Sequence, residues 1–225
     1  MNDKGFTMIE LLAAMVLLSI LMLVAVPTVL NMMDQTRRKT IINDAKKLVS
    51  SVEYKVKNNN NFIKKPRSDG KCIVLTLGYL DLGNEFQEGP HGGTYLLDDS
   101  YVIVKYDPSG DVNYQKKYKY YVTLVEKYQG ETYYGLFLYP YEKIFDKGAE
   151  SFANGFNKNN LISSIIRNNS TLDGKLKNFS ITNPASESEK KVRDICSTTI
   201  FKNTNGGLDD NVYDTEDALN EVNLD

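Results

Sequence analysis

The sequence of 225 residues has few of the side chains that enzymes use most, since it contains one histidine and two cysteines. The histidine, His91, lies in a Gly-Pro-His-Gly-Gly segment that is typical of a loop. A histidine general base needs positioned partners. The sequence contains no nucleophile motif, phosphate-binding loop or clustered metal ligands. The composition therefore predicts a protein that is not an enzyme and has no cofactor.

Excess positive charge is also missing, because the formal net charge is −2 and the sequence pI is about 5.6. This balance argues against an overall electrostatic surface for nucleic acid. Residues 116–121 (Lys-Lys-Tyr-Lys-Tyr-Tyr) do interleave bases with aromatic rings, a pattern that favours a nucleic-acid strand. A solvated strand face is the simpler interpretation. The partner of this region, a surface or DNA, stays open.

What the chain has is one long uncharged apolar run, residues 11–30. About 20 such residues suffice for a helix to cross the hydrocarbon core of a bilayer. Glu10 stands at the start of this run, and an acid inside a membrane costs roughly 2.5–3.5 kcal/mol on insertion scales. A cut between Gly5 and Phe6 would create a cationic α-amine that pairs with such a carboxylate. The pattern predicts that Glu10 is functional and has a counter-charge.

Residues 4–12 (Lys-Gly-Phe-Thr-Met-Ile-Glu-Leu-Leu) resemble the cleavage and N-methylation signal of type IV prepilins and related pseudopilins. Pro27 also lies at the offset from the cut where that family places a proline. The resemblance covers residues 1–30, and the rest of the chain has no motif specific to a family. It implies that a prepilin peptidase cuts after Gly5 and that Phe6 becomes the N-methylated first residue.

The resemblance also implies how the subunit assembles. Glu10 would meet the Phe6 amine of a neighbouring pilin subunit and set the axial register of a helical filament. Pro27 removes a backbone donor, so it should kink or loosen the helix just before it. The implied partners are the peptidase, other pilin subunits in a homo- or heteropolymer, and the membrane before assembly.

The implied location is the bacterial cell membrane, as a single-pass protein with its head outside, and then the extracellular pilus. Flanking charges favour the opposite topology, because three basic residues follow the span and only Lys4 precedes it. These three are Arg37, Arg38 and Lys39. We nevertheless expect the head to lie outside the cell, because the resemblance implies a leader in the cytoplasm.

Beyond the apolar run, apolar residues recur at intervals of three and four, which predicts an amphipathic helix. They are Ile41, Ala45, Leu48, Val52 and Val56. Four asparagines at 58–61 should end this helix. The stripe covers only about two heptads, so it favours packing on a sheet over a coiled coil.

The clearest strand signals lie at residues 94–106, 114–128 and 132–139, separated by turn segments at 107–111 and 129–131. They predict a three-stranded antiparallel meander. A long N-terminal helix, transmembrane and then amphipathic, packed on an antiparallel sheet is an α+β arrangement, and it resembles the type IV pilin head. The expected domains are a leader (1–5), a transmembrane or filament-core helix (6–30), an amphipathic helix half (31–58), a globular head (59–205) and an acidic C-terminal tail (206–225).

The last third of the chain gives weaker signals. They favour a short helix near residues 161–166, a strand within 175–182, and a helix that starts at a capping box, residues 186–189. The acidic tail offers weak calcium candidates in Asp209, Asp210 and Asp214. Their spacing matches no EF-hand loop, so no metal site is predicted.

The two cysteines, Cys72 and Cys196, bracket most of the head. In an oxidising exterior such a pair is a candidate disulfide. Related pilins often have a disulfide, but it usually encloses a much shorter loop. Two independent buried thiols stay open as the alternative.

These observations lead to one functional hypothesis, a pilin, major or minor, that polymerises into an extracellular type IV pilus-like filament. One alternative is a single-pass surface adhesin or sensor that never polymerises. Another is a pseudopilin of a type II secretion or DNA-uptake system.

Overall fold

A computed structural model describes residues 7–58, 71–107, 118–161, 176–179, 187–195 and 198–202. The chain divides into two compact units, Met1–Arg37 and Arg38–Asp225. Helix α1, Met8–Asn58, contributes to both units. The described strands are β1 (Lys71–Thr76), β2 (Thr94–Tyr95), β3 (Tyr101–Tyr106), β4 (Tyr118–Lys127), β5 (Tyr133–Pro140), β6 (Asn154–Gly155), β7 (Leu176–Phe179) and β8 (Thr198–Lys202). A second helix, α2, spans Glu187–Ile195, and short 3-10 helices span Tyr141–Phe145, Ala149–Phe152 and Lys158–Asn160.

The strands of the second unit form one sheet in the order β6-β5-β4-β3-β1-β8-β7, with β2 paired to β4 beyond the end of β3. The predicted meander is confirmed, because β3, β4 and β5 pair antiparallel in sequence order. The α+β class is therefore confirmed. One pair departs from the antiparallel pattern, since β8 runs parallel to β1. These two strands are far apart in sequence, so no hairpin turn dictates their direction.

The second half of α1 packs on one face of this sheet. The five residues of the predicted stripe are at most 2% exposed, which confirms the amphipathic assignment. They join a core that includes alternate residues of the central strands, as the period of two in a strand requires. Those strand residues are Ile73, Leu75, Val102, Val104, Val122, Leu124 and Leu136.

Polar contacts also hold α1 to this unit. The Tyr95 hydroxyl donates to Asp44 Oδ2 at 2.8 Å, and the Lys55 ammonium donates to the carbonyl of Leu80.

Helix α2 lies over the opposite face of the sheet. Lys191 Nζ is 5.8 Å from the ring centroid of Phe137, which belongs to a second apolar cluster built around Val125. At the other end of α2, the carbonyl oxygen of Ile195 is 3.8 Å from Cys72 Sγ on β1. A helix therefore contacts each face of the sheet, whereas the sequence predicted only the α1 face.

Three weaker sequence predictions can be compared with the structure. Residues 94–106 form two strands, β2 and β3, because the chain turns between them: Ser100 N–H donates to the Leu96 carbonyl at 2.8 Å. The strand expected within 175–182 corresponds to β7, and the helix expected after the capping box corresponds to α2. The short helix expected near 161–166 lies outside the described residues after Leu161.

Candidate functional site

The charged start of α1 is organised by Thr7 and Glu10. Helix α1 begins at Met8, and the Leu11 N–H donates to the Thr7 carbonyl at 3.2 Å. Glu10 Oε2 accepts the Thr7 backbone N–H at 2.9 Å and the Thr7 hydroxyl at 2.7 Å. Thr7 Oγ1 in turn lies 3.4 Å from the Glu10 N–H. This reciprocal arrangement is a capping box, which satisfies helix-start donors that otherwise have no partner.

The capping box leaves part of the carboxylate available. Both bonds from Thr7 go to Oε2, and Glu10 Oε1 accepts no hydrogen bond from any described residue. The side chain is exposed. A second donor, such as an ammonium group from another chain, can therefore approach Oε1 while Thr7 holds Oε2.

We expect Thr7→Ala to weaken the first turn of α1 by about 1 kcal/mol, the usual cost of losing an N-cap hydroxyl. Amide hydrogen exchange of the full-length protein in detergent, read for residues 8–11, measures this change. Thr7→Ser is the matched control, because it keeps the hydroxyl and should retain wild-type protection. Equal protection in the alanine and serine variants would show that the hydroxyl does not stabilise the helix start.

The first unit has an apolar surface that its own described residues leave uncovered. All the large apolar side chains of α1 between Met8 and Met33 are 45–86% exposed. A soluble protein rarely exposes a contiguous apolar surface of this size, which marks a membrane or protein contact. The helix satisfies the length and composition required to cross a membrane.

Polar groups in this apolar surface are satisfied within the helix. Ser19 Oγ donates to the Met15 carbonyl at 2.8 Å, and Thr28 Oγ1 donates to the Val24 carbonyl at 3.1 Å. Such bonds to the carbonyl four residues earlier let hydroxyls lie in an apolar environment. Pro27 lies inside the helix and has no N–H to donate to the carbonyl of Leu23. The helix continues without a break through Pro27, and the loosening expected just before it stays a prediction.

The N-terminal segment matches a known family model. Residues 1–26 match the family model described as the prokaryotic N-terminal methylation motif. These residues are a type IV prepilin-type signal. The signal supports a type IV pilin-like or pseudopilin protein, and it points to a structural subunit and not to an enzyme. A search of curated proteins found no match to the chain, and a search of solved structures found none.

The prepilin-type signal implies processing by a prepilin peptidase and assembly with pilin subunits. Together with the apolar helix, it suggests a membrane-anchored, pilus-associated protein. Gly5 and Phe6, where cleavage and methylation are expected, lie outside the described residues, as do Cys196 and the tail candidates Asp209, Asp210 and Asp214. Within the described ranges, no group of three or more His, Cys, Asp or Glu residues is arranged to hold a metal ion.

The structure describes part of two further sites that the sequence predicted, the cysteine pair and the Lys-Tyr segment. Cys72 is fully buried in β1 and is disulfide-bonded. On β4, Lys119 Nζ is 2.6 Å from Asp107 Oδ2. The hydrogen bond with Asp107 raises the pKa of Lys119. This lysine of the Lys-Tyr segment already has an acidic partner within the chain, which weakens the case for a nucleic-acid strand on that face.

Sequence reasoning missed two arrangements. The Thr-x-x-Glu pattern at 7–10 is a capping-box signal that is visible in the sequence. It was missed because Glu10 was interpreted only in relation to the apolar run that follows it. His91 was assigned to a loop, and it does lie in one, but its side chain is only 6% exposed and contacts Glu126, whose side chain is 0% exposed. No local pattern reveals that contact, because the two residues are far apart in the sequence.

Proposed function

We propose that this protein is a structural subunit, major or minor, of an extracellular type IV pilus-like filament. The observation that carries the proposal is the uncovered apolar surface of α1 between Met8 and Met33, whose first turn contains Glu10 and lies inside a prepilin-type signal. A neighbouring subunit with the same helix is the partner that covers such a surface after it leaves the membrane. Its function is then polymerisation, with no chemical step performed by the subunit after processing.

The roles of single residues in this proposal follow the sequence expectations. A prepilin peptidase removes residues 1–5 by cutting after Gly5, and the amine of Phe6 is methylated. Glu10 Oε1 receives the Phe6 ammonium of a neighbour, while Thr7 keeps its bonds to Oε2. Pro27 lets the helix stretch or bend during packing. The proposed segments are 6–30 for the filament-core helix, 31–58 for the amphipathic half, 59–205 for the head and 206–225 for the tail.

The proposed topology places the head outside the cell, with the membrane serving as a store before assembly. An exterior location agrees with the disulfide at Cys72, because disulfides persist in oxidising compartments. We propose Cys196 as its partner, since the sequence contains two cysteines.

Gly5→Leu is expected to block cleavage, because a bulky side chain at the last leader position prevents the peptidase from closing on the junction. Intact-mass analysis of the membrane fraction should then find the full precursor beginning at Met1. The wild type should begin at Phe6 and have the additional mass of one methyl group. Asp3→Ala, a change within the leader but away from the junction, should be processed normally.

Mass spectrometry of sheared surface filaments distinguishes the pilin from its alternatives. A pilin should be recovered in this fraction with the mature N-terminus. A surface adhesin that does not polymerise should remain in the membrane fraction, and so should a pseudopilin that forms no surface filament. A wild-type chain that still begins at Met1 would contradict the processing step itself.

A further inference from the structure

A buried carboxylate outside the proposed assembly site holds one loop of the head. Glu126, near the end of β4, makes three hydrogen bonds with residues 89–93, which we call the latch loop. Its Oε1 accepts the backbone N–H groups of His91 and Gly93, each at 2.9 Å. Its Oε2 is 2.8 Å from His91 Nδ1. Each oxygen of a carboxylate with no exposed surface therefore faces N–H donors of one short loop.

The glycines of the latch loop allow this close approach. A Cβ atom on Gly89 would lie 2.2 Å from Glu126 Cδ, and one on Gly93 would lie 2.2 Å from the Lys127 carbonyl oxygen. The loop closes through Gly89 N–H to the Gly93 carbonyl at 2.9 Å. Gly92 has φ +84, which glycine adopts without strain. The sequence at 89–93 thus fits a loop that lies directly on Glu126.

Aromatic rings complete the surroundings of the pair. The His91 ring stacks on Tyr134 with centroids 3.8 Å apart and planes 6° apart, and Tyr128 meets Tyr134 edge-on at 6.2 Å. In the sheet, Glu126 lies in register between Tyr95 of β2 and Tyr134 of β5. The latch loop therefore covers a tyrosine-lined end of the sheet.

Other titratable groups also lie close to the pair. Burial raises the pKa of Tyr95, with further contributions from Asp44 on α1 and from Glu126, so Tyr95 stays neutral. Glu88, before the loop, and Lys127, after Glu126, are exposed to solvent.

The contact tolerates some protonation states of the pair and not others. An ionised Glu126 accepts Nδ1–H from a neutral or a charged His91, and a neutral Glu126 can donate to Nδ1 of a neutral His91. When both groups are protonated, an acid O–H and an imidazolium N–H face each other and the bond is lost. A buried group without its partner is costly, so the second proton favours release of the loop.

We propose that Glu126 and His91 form an acid-sensitive latch that holds the latch loop on the sheet near neutral pH and releases it on acidification. The sign follows from the proton count, because the closed pair accommodates one proton whereas the open pair can bind a second. A first proton leaves the hydrogen bond intact, so the closed loop stays stable until the pH falls into the carboxyl range, where the second proton binds. The device is independent of filament assembly, since it lies wholly within the head.

Amide hydrogen exchange of the full-length protein in detergent, corrected for the intrinsic rate at each pH, tests the latch. Between about pH 6 and about pH 3, across the range in which an exposed glutamate carboxyl takes up its proton, protection of residues 89–93 should fall at least about tenfold. Strand β3 serves as the internal reference and should keep its protection. Unchanged loop protection, or a parallel loss in β3, would overturn the proposal.

Glu126→Gln separates an electrostatic latch from a purely structural contact. The glutamine oxygen still accepts the two backbone N–H groups, while its amide N–H groups can bind only an unprotonated His91 Nδ1. A single proton on His91 should then release the loop, so release should move to higher pH than in the wild type. Glu131→Gln, an exposed change in the turn after β4, should leave the wild-type profile unaltered. Release of the loop at the same pH in Glu126→Gln and in the wild type would contradict the latch. If Glu126→Gln does not fold, the pH profile of the wild type alone decides.

Discussion

Glu10→Ala is expected to abolish incorporation of the subunit into filaments, while the chain is still made, inserted and cleaved. In a filament core of low dielectric, the Phe6 ammonium of a neighbour would lose its counter-charge. Removing one partner of a buried ion pair costs about 3–5 kcal/mol. At about 1.4 kcal/mol for each tenfold change, every interface would weaken by roughly two to four orders of magnitude. Immunoblots of sheared filaments and of membranes, compared between variants, measure the effect.

Two further variants separate charge from helix capping. Glu10→Gln keeps a side-chain oxygen for the Thr7 N–H but has no charge, so it should also fail to assemble. Thr7→Ala loses the cap but keeps the charge, so it should still enter filaments. Glu53→Ala removes the same charge from the amphipathic half of α1 and should assemble normally. Normal filaments from either Glu10→Gln or Glu10→Ala would contradict the proposed ion pair.

Loss of the disulfide is expected to produce the largest change in the stability of the head. A bond from Cys72 to Cys196 closes a loop of roughly 120 residues, and the chain-entropy relation for such loops gives about 4–5 kcal/mol. The bond would fasten the junction between α2 and β8 to the start of β1. Strand β8 has β1 as its parallel partner, so this fastening also supports the far edge of the sheet.

Cys196→Ser should therefore lower the free energy of unfolding by about 4–5 kcal/mol. Urea titration of the full-length protein in mild detergent measures this, with the loss of head secondary structure as the signal. Reduced wild-type protein should unfold at nearly the same urea concentration as Cys196→Ser. Ser51→Ala, a substitution of a half-buried residue on α1, is a control that should change stability little. Labelling of both cysteines by a thiol reagent in unreduced wild-type protein would refute the pairing.

Much of the fold could be predicted because its signals are local. The spacing of Ile41, Ala45, Leu48, Val52 and Val56 identifies the buried side of α1, since a helix returns to the same face every three to four residues. Turn residues between segments of alternating polarity identify the β3-β4-β5 meander, because this signal also extends over only a few residues. The residues of the proposed assembly site could also be found from the local sequence, because Glu10, the apolar run and Pro27 belong to one continuous helix.

Other features depend on residues that only the tertiary structure brings together. Glu126 lies near the end of β4 and is followed by Lys127, a pattern typical of a solvent-exposed strand end, yet its side chain is fully buried because a distant glycine loop folds over it. The parallel pairing of β8 with β1 and the position of α2 on the second face likewise join segments far apart in the chain. The sequence by itself determined the prepilin-type signal, the apolar helix and the meander, whose periodicity and turns act over a few residues. The tertiary structure decided the second helical layer, the strand order and the Glu126–His91 contact, because long-range packing selects these from several locally equivalent arrangements.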